Sequence, residues 1–556
     1  MLHTVKGFLH TQDTIFVNED GNEVLLRGMG VGNWLNPEGF LFGGASFGGA
    51  IGSFSRACAF DRGRTMDLYV AELAGRTYQK QFWDTWVDRY FGRADIAAMK
   101  RQGFNSVRLP VNARFLLDEE PGIHFNEAQF ALLDRYLDWC EAEGLYVILD
   151  MHAACGGQSA ISCDDGVDNQ PHLFLDEESA DRTVLLWKEI ARRWADRWII
   201  AGYDLLNEPI ALPMFDGLIP ELKAFYDRLV REIRSVDQKH ILFLQGHRFA
   251  GRVDIFDHNY DPEYNNWAIC VHLYESLPDL KVFGPILEKR DTLRVPVWMG
   301  ETGGSSVGDS GTGNQWMAVT YEMCMEYHIS YNIWVAKAVE GADAAATFTF
   351  RLPEDWQSIL DYVERGAAKP SYERAIRIFD ALLENIRVEN CVERTDRVIH
   401  ALRLPGSVVP ASGYDADRPH SGQWPYALYC GYRREDHMHL LTEPGYVPMD
   451  EFIRTPGPLK YCDWPHILLR LDEGDCASYS VREAIEPVSV TLWCRTDRGG
   501  VVRVSDGSRV MYEGSVPVSD AFLPLAVGAV SAPERATVTA ACISGSVDLK
   551  EIRFGA

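Results

Sequence analysis

The segment "YDLLNEP", residues 203–209, is an apolar run that ends in an amide, a carboxylic acid and a proline. Pro209 stops the strand because proline has no backbone N–H to donate to a sheet. Asn207 and Glu208 therefore stand side by side at the end of a buried strand, which a purely structural strand does not need. In barrels built from parallel strands, active sites lie at this end of the strands. The segment therefore predicts a reactive centre.

The composition limits the classes of function. A chain of 556 residues is too long for one compact core, so two or more domains are expected. Its hydrophobic content of 46% and charged content of 24% are typical of an ordinary globular protein. The formal net charge of −26 argues against nucleic acid or anionic membranes as the main partner, because phosphate binding requires clustered Lys and Arg.

The N-terminus and the cysteines bear on the compartment. No apolar core of signal-peptide length is seen, and no stretch approaches the roughly 18 apolar residues of a membrane span. Twelve cysteines are scattered from Cys58 to Cys542 without a CxxC pair, which predicts reduced thiols rather than a disulfide framework or a zinc site. We therefore expect a cytoplasmic protein, or a secreted one if a signal segment has been removed. The oligomeric state stays open.

Between residues 24 and 386, short apolar runs alternate with longer amphipathic ones. The strand candidates are 23–35, 104–111, 145–152, 201–209, 240–247, 267–274, 295–303 and 329–337. Continuous apolar strands alternating with helices predict parallel pairing with both faces buried. The pattern predicts an α/β fold, a (β/α)8 barrel over residues 1–388. An open doubly wound sheet is the alternative, and it is disfavoured because no GxGxxG follows the first strand.

The pattern of apolar and polar residues changes after about residue 390. The runs "VSVTLWCRTDRGGVVRVSDGSRVMYEG" (488–514) and "ATVTAACISGSVDLKEIRF" (536–554) alternate with period two. They predict an all-β sandwich domain over residues 389–556. Its role is left open between carbohydrate binding and stabilisation of the barrel, and the second is favoured.

Two segments, 36–92 and 153–177, are long for barrel loops. Loops of such length in a compact domain usually act as lids or pocket walls. The second contains Asp164, Asp165 and Asp168. These lack the glycine and terminal glutamate of a calcium loop, so we expect them to cap the loop rather than bind a metal.

The carboxyl ends of the eight predicted strands should meet at one mouth of the barrel. They carry Asn33, Trp34, Arg108, His152, Asn207, Glu208, His272, Tyr274, Glu301 and Trp334. Any one of these alone is more often solvated or structural, but together they do not form a stability pattern. Two carboxylic acids on facing strands fit glycoside hydrolysis, with a separation of about 5–5.5 Å if configuration is retained. The aromatic faces suit the C–H surface of a sugar.

The same residues carry a family resemblance. The "NEP" that ends the fourth strand and the "VWMGETG" around Glu301 resemble family 5 of the glycoside hydrolases, in clan A. The segments "NSVRLPV", "DMHAACGGQ", "VHLY" and "NIWVAK" resemble the second, third, sixth and eighth strands of that family. The resemblance covers about residues 25–385. It is nearest to the exo-β-glucanase and β-glucosidase-like branch.

This resemblance implies a role for each matched residue. Glu208 would be the general acid and base, and Glu301 the nucleophile that forms a glycosyl-enzyme ester. Asn207 would bind the sugar 2-hydroxyl, while Arg108 and Tyr274 would contact Glu301 and keep it ionised. The remaining substrate-binding residues would be His152 and His272 in the −1 subsite, Trp334 as its floor, and Trp34. No metal and no cofactor is implied.

The leading hypothesis is a retaining β-glycoside hydrolase that acts on β-glucosides or related small glycosides. A glucan-directed or glycolipid-directed hydrolase of the same family stays open. A non-catalytic sugar-binding barrel belongs to a different class, and it is disfavoured because Glu208 and Glu301 are both present. A metal-dependent hydrolase would need a second histidine near His152 at ligand spacing, which "DMHAAC" lacks.

Overall fold

The structure is a computed structural model. It describes residues 4–42, 60–274, 276–304, 310–342, 344–425, 432–447 and 461–555. Most of the glycine-rich stretch of the predicted loop 36–92 lies in 43–59, outside the described residues. Among the described residues, no helix has the length and apolar character that crossing a membrane requires.

Eight parallel strands close into a barrel. They are β1 (Arg27–Gly30), β2 (Ser106–Asn112), β3 (Tyr146–Ala153), β4 (Ile200–Asp204), β5 (Ile241–Gln245), β6 (Trp267–Tyr274), β7 (Val297–Gly303) and β8 (Ser330–Ile333). Every residue of β2 and β3 is buried, which is why these strands appear in the sequence as continuous apolar runs. The predicted barrel is confirmed, and the open sheet is excluded because β8 pairs with β1.

Helices connect and surround the strands. Their bounds are Gly63–Ala74, Arg76–Tyr90, Arg93–Arg101, Ala113–Leu116, Glu127–Glu143, Glu177–Trp194, Ile219–Arg234, Leu280–Leu293, Ser310–Glu326, Trp356–Arg365, Tyr372–Asn385 and Thr395–Ala401. Local chemistry places their ends: Asp176 accepts a hydrogen bond from the Ser179 backbone N at 3.0 Å, and Gly144 ends a helix at φ +70°. The first two helices lie in the predicted loop 36–92, so that segment is partly helical.

Short strands complete the barrel unit. An N-terminal hairpin joins His10–Gln12 to Ile15–Val17, and a three-stranded sheet joins Lys337–Val339, Phe348–Phe350 and Val392–Glu393. The ring of Phe16 in the hairpin contacts Phe243 of β5 with centroids 5.8 Å apart. The hairpin therefore packs onto the barrel core.

The C-terminal all-β domain is confirmed. Its strands are Val408–Pro410, His439–Thr442, Ile467–Asp472, Cys476–Arg495, Gly500–Asp506, Arg509–Val516 and Leu523–Phe554. They join in one hydrogen-bonded sheet, because the 32-residue strand Leu523–Phe554 is long enough to pair with several others. This strand runs in the opposite direction to Cys476–Arg495, because Cys476 lies opposite Ala541 whereas the later residue Ala484 lies opposite the earlier residue Ala532.

Two compact units divide the chain. The first holds Met1–Leu273, Glu288–Gly303 and His328–Arg394, and the second holds Tyr274–Leu287, Gly304–Tyr327 and Thr395–Ala556. The predicted domain boundary at 388–389 lies near Arg394 and Thr395, where the chain passes from the first unit into the second for the last time. The helix Ser310–Glu326, which follows β7 in the chain, therefore belongs with the C-terminal strands.

Buried arginines hold this helix within the second unit. Arg482 donates to both carboxylate oxygens of Glu322 at 2.8 and 2.9 Å, and Arg535 lies 2.9 Å from Glu326. Arg403 donates to the Ala318 carbonyl at 2.7 Å. Burial would raise the pKa of Glu322, but these guanidinium groups outweigh it and lower the pKa. Glu322 is therefore held as a carboxylate among these guanidinium groups, whereas burial and neighbouring acids raise the pKa of Glu326 to about 9.

We predict that Glu322→Gln lowers the free energy of unfolding of this unit by about 3–5 kcal/mol, because it leaves buried guanidinium charge uncompensated. Glu513→Gln is the matched control, since Glu513 pairs with Arg503 at side-chain exposures of 45% and 44%. Its expected cost is about 0–1 kcal/mol. Urea unfolding of both variants measures the difference, and equal small costs would contradict the prediction.

Candidate active site

The segment that carries the amide and the acid is a turn rather than a strand end. Strand β4 stops at Asp204, five residues before the predicted end. The Asn207 backbone N donates to the Met151 carbonyl at 3.0 Å. Glu208 takes a left-handed conformation with φ +45°, which is unfavourable for a residue with a side chain. Its backbone N–H donates to Oε1 of Gln245 at 2.8 Å.

Arg108 is the central cation of the site. It is fully buried, and its guanidinium donates to Glu301 at 2.6 Å, to Asn207 Oδ1 at 2.8 Å and to Asp204 at 3.0 Å. Burial alone would lower the pKa of Arg108, but Asp150, Asp204 and Glu301 raise it well above its usual value. Arg108 thus brings the two predicted residues Asn207 and Glu301 together.

The two glutamates meet beside His272. Nδ1 of His272 lies 2.8 Å from Glu208 Oε1 and 3.6 Å from Glu301 Oε2. Carboxylate oxygens of the two glutamates lie within 4.8 Å of each other. Burial raises the pKa of Glu208 to about 7, with His152 and Arg108 partly opposing it, and burial lowers the pKa of His272 to about 4. A neutral His272 therefore stands between the two carboxyl groups near neutral pH, with Nδ1 facing both.

Trp334 and His152 form a wall of the same site. Their rings are stacked at 2° with centroids 5.4 Å apart, and Asn207 Nδ2 lies 3.4 Å from His152 Nε2. Burial would lower the pKa of His152, but Asp150 at 2.7 Å and the more distant Glu38 raise it to about 10. Asp150 and Glu38 therefore favour the protonated form of the His152 ring.

The position of Trp34 does not fit the prediction that this residue binds substrate. Its indole contacts Tyr136 and Phe91 with centroids 4.4 and 5.6 Å away, and Nε1 donates to the Val87 carbonyl at 3.1 Å. Trp34 is thus part of an aromatic core against the surrounding helices. The preceding Asn33 has φ +69°, and both residues lie beyond β1, which ends at Gly30.

Tyr274 ends β6 and is 40% exposed. It is the first residue of the second unit. Its predicted contact with Glu301 stays a prediction.

Sequence reasoning missed four buried polar residues of the site: Glu38, Asp150, Asp204 and Gln245. Oε1 of Glu38 lies 3.7 Å from His152 Nε2 and has no hydrogen-bond partner in the described part of the chain, and burial raises the pKa of this carboxyl. Asp150 precedes His152 by two positions, so period-two alternation along β3 could have found it. Asp204 and Gln245 end β4 and β5, so the strand-end criterion could have found them, whereas no local signal points to Glu38.

One set of side chains at the site has the spacing of metal ligands. Glu208, His272 and Glu301 lie close enough to hold a metal ion, but the Arg108 guanidinium already supplies the positive charge beside Glu301. Asp164 accepts hydrogen bonds from the backbone of Ser159 at 2.9 Å, as expected of a loop cap.

Comparison with known proteins gives a family match to the same residues. The family described as Cellulase (glycosyl hydrolase family 5) matches residues 67–340. A beta-xylosidase of Phanerodontia chrysosporium is 34% identical over 280 residues, which are 50% of this chain and 53% of that protein. A glucan 1,3-beta-glucosidase of Candida oleophila is 32% identical over 160 residues, 28% of this chain and 35% of that protein. The chain thus spans about half the length of the first relative and about a third of the second.

Solved structures also match this chain. A crystal structure of endogalactoceramidase matches with a TM-score of 0.46 at 15% identity, covering 98% of this chain and 100% of that one. Thermotoga maritima Cel5A, in mutant form with cellobiose, matches with a TM-score of 0.39 at 17% identity, covering 49% and 89%. Residues 67–340, which carry Arg108, Glu208 and Glu301, are therefore a glycosyl hydrolase family 5 (cellulase) domain.

Proposed function

We propose that this protein is a retaining β-glycoside hydrolase that cleaves β-glucosides or related small glycosides by a two-glutamate double displacement. The observation that carries the proposal is the pair Glu208 and Glu301, whose oxygens lie within 4.8 Å of each other beside His272. Such close carboxyl groups leave no room for a water between acid and nucleophile, which favours retention over inversion.

The environments of the two glutamates support different roles. Glu301 accepts a hydrogen bond from the Arg108 guanidinium at 2.6 Å, which fixes the orientation of the carboxyl group that would act as the nucleophile. Burial keeps Glu208 protonated up to about pH 7, as a general acid requires.

In the first step, an oxygen of Glu301 attacks the anomeric carbon and forms an ester. The bond from that carbon to the leaving oxygen breaks as Glu208 transfers its proton to this oxygen. In the second step, Glu208 takes a proton from water, the water oxygen attacks the anomeric carbon, and the ester bond to Glu301 breaks. Two inversions give net retention of configuration.

The relatives support the substrate class. Their names specify a beta-xylosidase and glucan 1,3-beta-glucosidases, so the proposed −1 sugar is a β-linked glucose, xylose or a close analogue. Activity confined to a glucan or a glycolipid would keep the mechanism and change the substrate. Sugar binding without turnover would favour the non-catalytic barrel. The cytoplasmic location expected from the sequence stays a prediction.

We predict that Glu301→Gln abolishes hydrolysis of aryl β-glycosides, because an amide is too weak a nucleophile to form the ester. Glu208→Gln should lower kcat on substrates with poor leaving groups by about 10²–10⁴-fold. Glu263→Gln, at an exposed position, is the control and should match the wild type. A screen of aryl glucoside, xyloside, galactoside and mannoside measures the three variants. Wild-type turnover in the Glu301→Gln variant would contradict the proposal.

A second prediction concerns pH and rests on the raised pKa of Glu208. Because the active form carries the proton, kcat/KM should fall as the pH rises through about 7. With a dinitrophenyl glycoside, whose leaving group needs no protonation, Glu208→Ala should remove this alkaline limb from the first step. A pH–rate profile of both proteins tests this, and a limb that survives in the variant would assign it to another group.

A further inference from the structure

Gln245 links the two catalytic glutamates through hydrogen bonds. It ends β5 and is fully buried. Its Oε1 accepts from the Glu208 backbone N–H at 2.8 Å, and its Nε2 donates to the two carboxylate oxygens of Asp204 at 2.9 and 2.8 Å. Both ends of the side-chain amide therefore have partners within the site.

The chain of contacts continues from Asp204 to the nucleophile. Arg108 donates to Asp204 from Nε at 3.0 Å and to Glu301 from a terminal nitrogen at 2.6 Å. A backbone N–H only donates, so the Glu208 N–H requires the carbonyl oxygen of Gln245 to face it, and the NH2 of Gln245 then faces Asp204. The carbonyl oxygen of Gln245 is thereby turned towards Glu208, and an amide flip would break both contacts.

The backbone of Glu208 depends on the carbonyl oxygen of Gln245 as a fixed acceptor more than the backbone of neighbouring residues such as Asn207 does. Its φ of +45° lies in the left-handed region, which a residue with a side chain leaves unless the surroundings hold it there. Arg108 binds the side chain of Asn207 directly, but Gln245 holds Glu208 by its backbone. A rotation of this backbone would move the carboxyl away from its position beside Nδ1 of His272.

We propose that Gln245 is a positioning residue that holds the general acid Glu208 in its left-handed conformation and ties it, through Asp204 and Arg108, to the nucleophile Glu301. The inference rests on the proposed function. It predicts a specific defect, because a misplaced general acid slows only those reactions whose leaving group must be protonated.

The test compares two substrates of one sugar on the same enzyme preparation, a dinitrophenyl glycoside and a phenyl or methyl glycoside. Gln245→Met keeps the side-chain length and removes both hydrogen bonds. We expect kcat for the poor leaving group to fall by about 100-fold and that for the dinitrophenyl group by less than about 5-fold, with little change in KM. The ratio of the two rates does not depend on the fraction of folded enzyme.

Gln102→Met is the matched control. Gln102 is also a buried glutamine, and its Nε2 donates to Glu393 at 2.8 Å, outside the site. Its substitution should leave the ratio of the two rates at the wild-type value. If Gln245→Met yields no folded protein, Gln245→Asn is measured in the same way. Its shorter amide cannot reach both Asp204 and Glu208, so the ratio should change in the same direction.

The outcomes are distinct. A selective loss on the poor leaving group supports the positioning role. An equal loss on both substrates, or none, overturns it and leaves Gln245 as a packing residue. A wild-type protein that hydrolyses neither substrate would instead overturn the proposed function.

Discussion

The site depends on one buried charge. The Arg108 guanidinium is removed from water, and such a cation persists only where anions and hydrogen-bond acceptors replace its hydration. Asp150, Asp204 and Glu301 supply them from three other strands, at 3.1, 2.9 and 2.6 Å. The same contacts that neutralise Arg108 orient Glu301 and Asn207. Stability of the barrel core and geometry of the site therefore rest on one cluster.

The two glutamates differ because their neighbours differ. Glu301 has the guanidinium as a direct partner, whereas the carboxyl of Glu208 lies against the neutral ring of His272. Burial raises the pKa of Glu208 to about 7, while the guanidinium holds Glu301 in a direct, charge-assisted hydrogen bond. Two identical side chains become suited to two chemical roles, an acid and a nucleophile, by position alone.

The C-terminal strands form a unit with part of the barrel segment of the chain. The helix Ser310–Glu326 follows the strand that carries Glu301, yet Arg403, Arg482 and Arg535 hold it among the C-terminal residues. A stabilising role of this domain towards the barrel, which the sequence favoured over sugar binding, stays a prediction. The contacts of these arginines explain why a single boundary does not separate the two units.

Local pattern in the sequence was enough to predict the barrel, the C-terminal all-β domain and most of the residues near the mouth. This is because strand and helix periodicity and the polar ends of strands are properties of neighbouring residues. The pairing of Arg108 with Glu301 followed from the family resemblance. The roles of Glu38, Asp204 and Gln245 were not visible, since their partners are distant in sequence.

Tertiary structure alone decided the rest. The parallel pairing of β4 with β5 brings Gln245 to within hydrogen-bonding distance of Asp204, 41 positions earlier in the chain. The left-handed Asn33 turned Trp34 into the aromatic core, and the left-handed Glu208 directs the acid towards His272. The sequence by itself determined which residues stand at the strand ends. Burial and backbone conformation, which depend on the closed barrel, decided which of them face the site and in which protonation state.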